Sequence, residues 1–277
     1  MDVQTGSLMA GKRGLIFGVA NNHSIAWGIA KAVAAQGAEL CFTHQGDALA
    51  KRVKPLAESL GSDFILPCNV EDIASVDAVF DEISKRWGSL DFVVHAIGFS
   101  DKSELKGRYI DATTRENFTR TMVISCFSFT EISQRAAKLM TNGGSILTLT
   151  YAGSTSVMPN YNVMGLAKAA LESSVRYIAS DLGPHSIRVN AISAGPIRTL
   201  AGAGIAEARS MFNFQKAHSP LRRSLDIDDV GGAALYMLSP LSSGVTGEIH
   251  FVDAGYNIIS MPRPEDLRNG SGDGDDN

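Results

Sequence analysis

With 277 residues and a formal net charge of −4, the chain can bury a large core and lacks the basic excess that nucleic-acid binding requires. Its three cysteines, Cys41, Cys68 and Cys126, sit in apolar runs and cannot all pair within one chain, which fits buried thiols in a reducing compartment. The opening MDVQTGSLMAGKR has no apolar centre of a signal peptide, and no run approaches the about 20 apolar residues of a membrane span, so a cytoplasmic protein is expected.

Short apolar runs read as strands in chain order: RGLIFGVA (13–20), AELCFT (38–43), DFILPC (63–68), LDFVVHAIG (90–98), GSILTLT (144–150), IRVNAIS (187–193) and EIHFVDAG (248–255). Helical patterns separate them, among them SIAWGIAKAVAAQG (24–37), EDIASVDAVFDEISKRWG (71–88) and YNVMGLAKAALESSVRYIASDL (161–182). This alternation predicts an α/β fold: a single Rossmann-like domain over 1–262, built on a doubly wound parallel sheet of about seven strands with helices on both faces. The polar, acidic and glycine-rich end predicts a disordered tail over 263–277.

Ligands of such sheets lie beyond the carboxyl ends of the strands. After the first strand, Gly18 suits a tight turn, Ser24 suits an N-cap, and Gly28 suits a close approach of the helix to sheet or ligand. The start of that helix offers N–H groups to a pyrophosphate. After the second strand Gln45 can bond a ribose hydroxyl and offers a 2′-phosphate no charge, which favours NADH over NADPH. Asn69 and Val70 follow the third strand where an adenine would lie, and Ile97 and Gly98 follow the fourth, under the ribose and nicotinamide.

Tyr161 and Lys168 stand seven residues apart in the segment read as helix, which would put them on one face about 10 Å apart along the axis. A phenol can donate to an oxyanion formed by hydride transfer, and the ammonium can hold the nicotinamide ribose. In a ketone that oxyanion forms on the oxygen bonded to the carbon receiving hydride; in an α,β-unsaturated thioester it forms on an oxygen at the far end of the conjugated system. The three residues beyond a four-residue spacing would displace the phenol by about 4.5 Å, in the sense conjugate reduction requires. Tyr151, at the end of the fifth strand, is expected to face the same cavity. The histidines show no metal-ligand spacing, and no metal is expected.

Four signatures carry a family resemblance over residues 8–262: G-V-A-x3-S-I-A-x-G from Gly18, H-x-I-G-F from His95, Y-x9-Y-x6-K from Tyr151 through Tyr161 to Lys168, and R-V-N-A-I-S-A-G-P-I-R-T from Arg188. The chain resembles the bacterial enoyl-acyl-carrier-protein reductases, a divergent branch of the short-chain dehydrogenase/reductases. The resemblance implies a homotetramer that uses NADH to reduce trans-2-enoyl thioesters carried by acyl carrier protein in fatty-acid elongation. It assigns dinucleotide contacts to Gly18, Ser24, Ile25, Gln45, Asn69, Val70, Ile97, Lys168, Ile197, Arg198, Thr199, Leu200 and Ala201. Substrate contacts fall to Ser100, Tyr151 and Tyr161, with Tyr161 the principal donor, Tyr151 its partner, and Tyr151, Tyr161 and Lys168 the catalytic set.

Residues 199–223 become, on the same resemblance, a substrate-binding lid whose Met211, Phe212 and Phe214 meet the acyl chain. Arg198, Arg209, Lys216, Arg222 and Arg223 would then offer an acidic carrier a basic face. Two other readings are a carbonyl reductase or alcohol dehydrogenase of the same superfamily, against which the Tyr-x6-Lys spacing and second tyrosine speak, and a nonenzymatic dinucleotide-binding protein, which should lack Tyr161 or Lys168.

Overall fold

The computed structural model describes residues 5–199, 208–261 and 263. Strands β1 (Arg13–Phe17), β2 (Glu39–His44) and β3 (Ile65–Pro67) alternate with helices α1 (Ile25–Ala34), α2 (Gly46–Ser59) and α3 (Ile73–Arg86). Next come β4 (Phe92–His95), the short α4 (Tyr109–Ala112), and α5 (Arg115–Met122), which runs through a π-helical turn at Val123–Phe127 into α6 (Ser128–Leu139). The second half holds β5 (Gly144–Thr150), α7 (Val163–Leu182), β6 (Ile187–Ala194), α8 (Ala208–His218), α9 (Ile227–Leu238) and β7 (Ile249–Val252).

All seven strands run parallel in one sheet of order β3-β2-β1-β4-β5-β6-β7. The order reverses between β1 and β4, which pair from Gly14↔Phe92 to Phe17↔His95 and open a crevice beyond their carboxyl ends. Alternation along β1 sends Leu15 and Phe17 into one buried cluster with β4's Val93 and α7's Leu171 and Val175. Ile16 goes to the other face, with α1's Ile29 and Val33 and α9's Val230 and Ala234. Burial on both faces explains why the strands read as continuous apolar runs. Among the described residues, no helix is long and apolar enough to cross a membrane.

Strand ends differ from the sequence reading for local reasons. The first run extends to residue 20 by hydrophobicity, but β1 stops at Phe17 because Gly18 turns the chain at φ +94°, where a Cβ would overlap the Ala96 carbonyl. At Gly28 a side chain would strike the Ile227 carbonyl, so this glycine brings α1 against α9.

The segment 161–182 is corrected at its start. Helix α7 begins at Val163, because Asn160 at φ +58° and Asn162 at φ +40° break the helical path, and Asn162 Nδ2 donates to the Glu104 carbonyl at 3.0 Å. Tyr161 therefore lies in a turn ahead of the helix that carries Lys168. The pair does not ride one helical face, and the helical-rise argument for its spacing falls away.

Candidate active site

Ser24 stands at the N-cap of α1, as expected, but its side chain braces the turn after β1 and does not cap the helix. Its Oγ accepts from the N–H groups of Ala20 and Asn21 at 3.0 and 3.1 Å, and α1 begins at Ile25 with no side-chain cap on its first N–H groups. The Trp27 N–H closes on the Ser24 carbonyl at 2.9 Å, and those of Ile25 and Ala26 precede it where the sequence leads one to expect an anion.

At the ends of β2 and β3 the structure brings two predicted residues together: Gln45 Nε2 donates to Asn69 Oδ1 at 3.0 Å. Asn69 is fixed by its own N–H, donated to Ser75 Oγ at 2.9 Å. Neither amide carries charge. Val70 and Ile97 pack against the core cluster beneath the crevice.

Beyond β6, Ile197 is buried and, with Arg198, lines a cavity of about 400 Å³ shared with His23, Phe212, Gln215 and Lys216. This cavity opens beside the start of α1, away from the tyrosines. His23 was missed as a lining residue, because no histidine at a loop tip announces itself by spacing. Thr199 is the last described residue of this stretch; Leu200 and Ala201 lie outside the described residues, as do 202–207 of the predicted lid. Phe212 reaches the cavity, whereas Phe214 stacks on His218 with ring centroids 3.9 Å apart. Of the expected basic face, Arg223 is taken up by a two-pronged ion pair with Asp229 at 2.6 and 2.7 Å.

Lys168 is buried on α7, and its Nζ donates to the Leu149 carbonyl of β5 at 2.8 Å. Gly98 forms the facing wall: a Cβ there would lie 3.5 Å from Met164 Cε, 3.9 Å from Lys168 Nζ and 4.0 Å from Ser125 Oγ. Ser125 sits on the π-helical turn, where its hydroxyl accepts from the Phe99 N–H at 2.9 Å and donates to the Phe99 carbonyl at 3.0 Å. It thereby clamps the segment after β4. Such a turn inside a helix leaves no mark in a 3.6-residue pattern, so Ser125 was invisible to periodicity.

Tyr161 is buried with Leu105, Val163 and Met164, and its ring meets that of Tyr151 at 5.1 Å between centroids. Met164 occupies the position one turn before Lys168, so an apolar side chain stands where a four-residue spacing would put a phenol. Ser100 is buried too, but its hydroxyl accepts from Asn117 and Thr121, each at 3.0 Å, and is committed to α5.

Charge states follow from burial. It raises the Tyr161 phenol far above its ordinary range, with Tyr151 and Glu172 adding to the effect. Tyr151 is pushed up to about 12, by burial and then by Tyr256. Both phenols remain protonated donors at neutral pH. The Lys168 ammonium is lowered to about 8 by burial, against opposing pulls from Cys126 and Glu172. His95, bonded at 2.9 Å to both Thr148 Oγ1 and Ser128 Oγ, is held neutral, lowered to about 3 by burial and by Lys168.

A sheet that gathers these groups beyond its carboxyl ends defines an oxidoreductase of the Rossmann-like class. Residues 18–257 match the family model described as enoyl-(acyl carrier protein) reductase. The chain is 74% identical over 261 residues, 94% of its length and 97% of the relative's, to enoyl-[acyl-carrier-protein] reductase [NADH] 2 of Rhizobium meliloti. Its fold matches the crystal structure of FabI from Candidatus Liberibacter asiaticus with a TM-score of 0.92 and 58% identity, covering 94% of this chain and all of that one. The enoyl-acyl-carrier-protein reductase from Anaplasma phagocytophilum, crystallised in complex with NAD, matches with a TM-score of 0.90 and 56% identity over 95% of this chain and 98% of its own. The chain belongs to the enoyl-(acyl carrier protein) reductase family.

Proposed function

We propose that the chain reduces the trans-2 double bond of enoyl thioesters on acyl carrier protein in fatty-acid elongation, with NADH as reductant. Three features of the chain fit the dinucleotide: the Gly18 turn with no room for a side chain, the uncapped start of α1, and the uncharged Gln45–Asn69 pair, which suits a ribose diol better than a 2′-phosphate. Gly18, Ser24, Ile25, Gln45, Asn69, Val70, Ile97, Lys168, Ile197, Arg198 and Thr199 would hold it, joined by Leu200 and Ala201 beyond the described residues. NADH supplies a hydride to the β-carbon of the thioester, which leaves enolate charge on the thioester oxygen.

Tyr161 donates a hydrogen bond to that oxygen and is the proton donor of the site. Its phenol stays protonated because it is buried, and a neutral donor in a dry pocket stabilises an oxyanion strongly. Tyr151 fixes the Tyr161 ring through their edge contact and lines the thioester's position. Lys168 holds the nicotinamide ribose hydroxyls and biases the site towards negative charge. The observation that carries the reading is the pair of buried, protonated phenols, Tyr151 and Tyr161, in ring contact at the end of β5, in a chain whose position one turn before Lys168 is the apolar Met164.

The one-domain reading of residues 1–262, with 199–223 a lid over the acyl chain and 263–277 a tail, completes the proposal. Phe212 in the lining of the cavity supports the lid. The proposal places the protein in the cytoplasm as a homotetramer, for which exposed Leu166 and Tyr177 on α7, with Leu241 and Phe251, offer apolar contacts. Purified protein mixed with NADH and crotonyl thioester is expected to consume the nicotinamide absorbance, and far more slowly with NADPH or with a β-ketoacyl thioester. Absence of NADH oxidation by folded protein with any enoyl thioester would refute the proposal.

A further inference from the structure

One buried charge near the site has no part in this scheme. Glu172 stands four residues after Lys168 on α7, one turn along the same face, and both side chains are buried. Its Oε1 accepts a 2.6 Å hydrogen bond from the hydroxyl of Thr150, the last residue of β5. The residue before, Leu149, accepts from Lys168. Two consecutive strand residues thus pin two opposite charges from one helix.

A buried carboxylate held by one neutral hydroxyl is costly unless a cation compensates it, and Lys168 is the cation at hand. Among the described residues, the other groups around the ammonium are uncharged at neutral pH, and Cys126 opposes the lowering of Lys168 only once its thiol ionises. From β4 comes His95, held neutral; from the π-helical turn comes Cys126, whose thiol burial raises. The end of β5 and the turn before α7 contribute the protonated phenols of Tyr151 and Tyr161. On this side β6 offers Val189 and Ala191, while its Arg188 bonds the carbonyls of Val245, Met237 and Ser239. Arg120 of α5 and Arg135 of α6 are paired elsewhere, with Glu71 and Asp77.

We infer that Glu172 is a positioning residue of the dinucleotide site: its carboxylate, anchored by Thr150, keeps the buried Lys168 charged and so able to hold ribose hydroxyls above neutral pH. The inference rests on the reading of Lys168 as a dinucleotide-binding residue. Burial alone drives the ammonium down towards neutrality, and an anion one turn away opposes that loss without occupying any of its hydrogen bonds.

The test is NADH affinity, followed by nicotinamide fluorescence from about pH 6 to about pH 9, where NADH itself carries no titrating group that binds this site. Wild type should weaken as Lys168 deprotonates. Glu172→Gln, which keeps the shape and can still accept from Thr150, should bind normally near the acid end and shift the midpoint of weakening down by about one pH unit. Thr150→Val should move it in the same direction and serves if Glu172→Gln does not fold. Lys168→Met should abolish the pH-dependent arm. If Lys168→Met loses the arm and Glu172→Gln keeps the wild-type midpoint, the inference fails and the Lys168 reading stands. A uniform weakening at every pH in Glu172→Gln would reduce Glu172 to a packing role and also overturn the inference. Persistence of the arm in Lys168→Met would overturn both.

Discussion

The rings of Tyr151 and Tyr161 meet edge to face, with centroids 5.1 Å apart and planes at 71°. This contact fixes a buried phenol from the turn before α7 against one from the end of β5, and it assigns the two tyrosines unequal tasks. Tyr161→Phe keeps the ring contact and removes the donor, so kcat should fall by about 10²–10³-fold with NADH affinity unchanged. Tyr151→Phe, which keeps the same contact, should cost much less. Steady-state kinetics with dinucleotide binding measured separately would decide it, and a larger loss in Tyr151→Phe would reverse the roles.

Lys168 gives stability a signature at alkaline pH. Its folded value, lowered to about 8, lies below its ordinary value of 10.5, so from pH 8 upward the folded protein releases a proton that the unfolded chain still holds. Stability from this group therefore rises between those two pH values, by roughly 3 kcal/mol in all. Subtracting the urea-unfolding profile of Lys168→Met from that of wild type should expose the rise.

His95 acts at the other end of the scale. Its imidazole is lowered to about 3 in the folded protein and lies near 6.5 in the unfolded chain. Stability is complete above 6.5 and is lost as pH falls towards 3, because only the unfolded state takes the proton, at up to about 1.4 kcal/mol per pH unit. Replacing the residue, as in His95→Asn, should make the acid limb of the unfolding profile shallower by about one proton. An unchanged slope would mean that the imidazole protonates in place.

Gly28 separates a packing role from a binding one. A methyl group in Gly28→Ala would strike the Ile227 carbonyl and wedge α1 from α9, at a cost of about 1–3 kcal/mol. Thermal unfolding should register that loss, while NADH affinity per folded molecule should hold. Loss of affinity at unchanged stability would return Gly28 to the nucleotide site.

Much of this was legible in the chain. Strands buried on both faces, such as Leu15-Ile16-Phe17, announce themselves as apolar runs, and their alternation with amphipathic stretches implies the parallel sheet. The residues after each strand could be singled out because a parallel sheet collects its ligand contacts at one end, and the structure brings two of them, Gln45 and Asn69, into contact with each other. What stayed hidden depends on backbone geometry or distant partners. The left-handed Asn160 and Asn162 remove Tyr161 from the helix, although hydrophobic periodicity runs straight through them. The π-helical turn that presents Ser125 breaks no pattern that apolar spacing records, and the partner of Gly28 lies some two hundred residues along the chain. Glu172 carried a readable signal, its four-residue spacing from Lys168, but only burial makes that spacing significant.

Deuteride transfer from NADH labelled on its reduced nicotinamide ring to crotonyl thioester tests conjugate reduction most directly. After one turnover, the product should be the saturated thioester with deuterium on the β-carbon and the carbonyl intact. Deuterium on the carbonyl carbon, or a product that keeps its double bond, would contradict it.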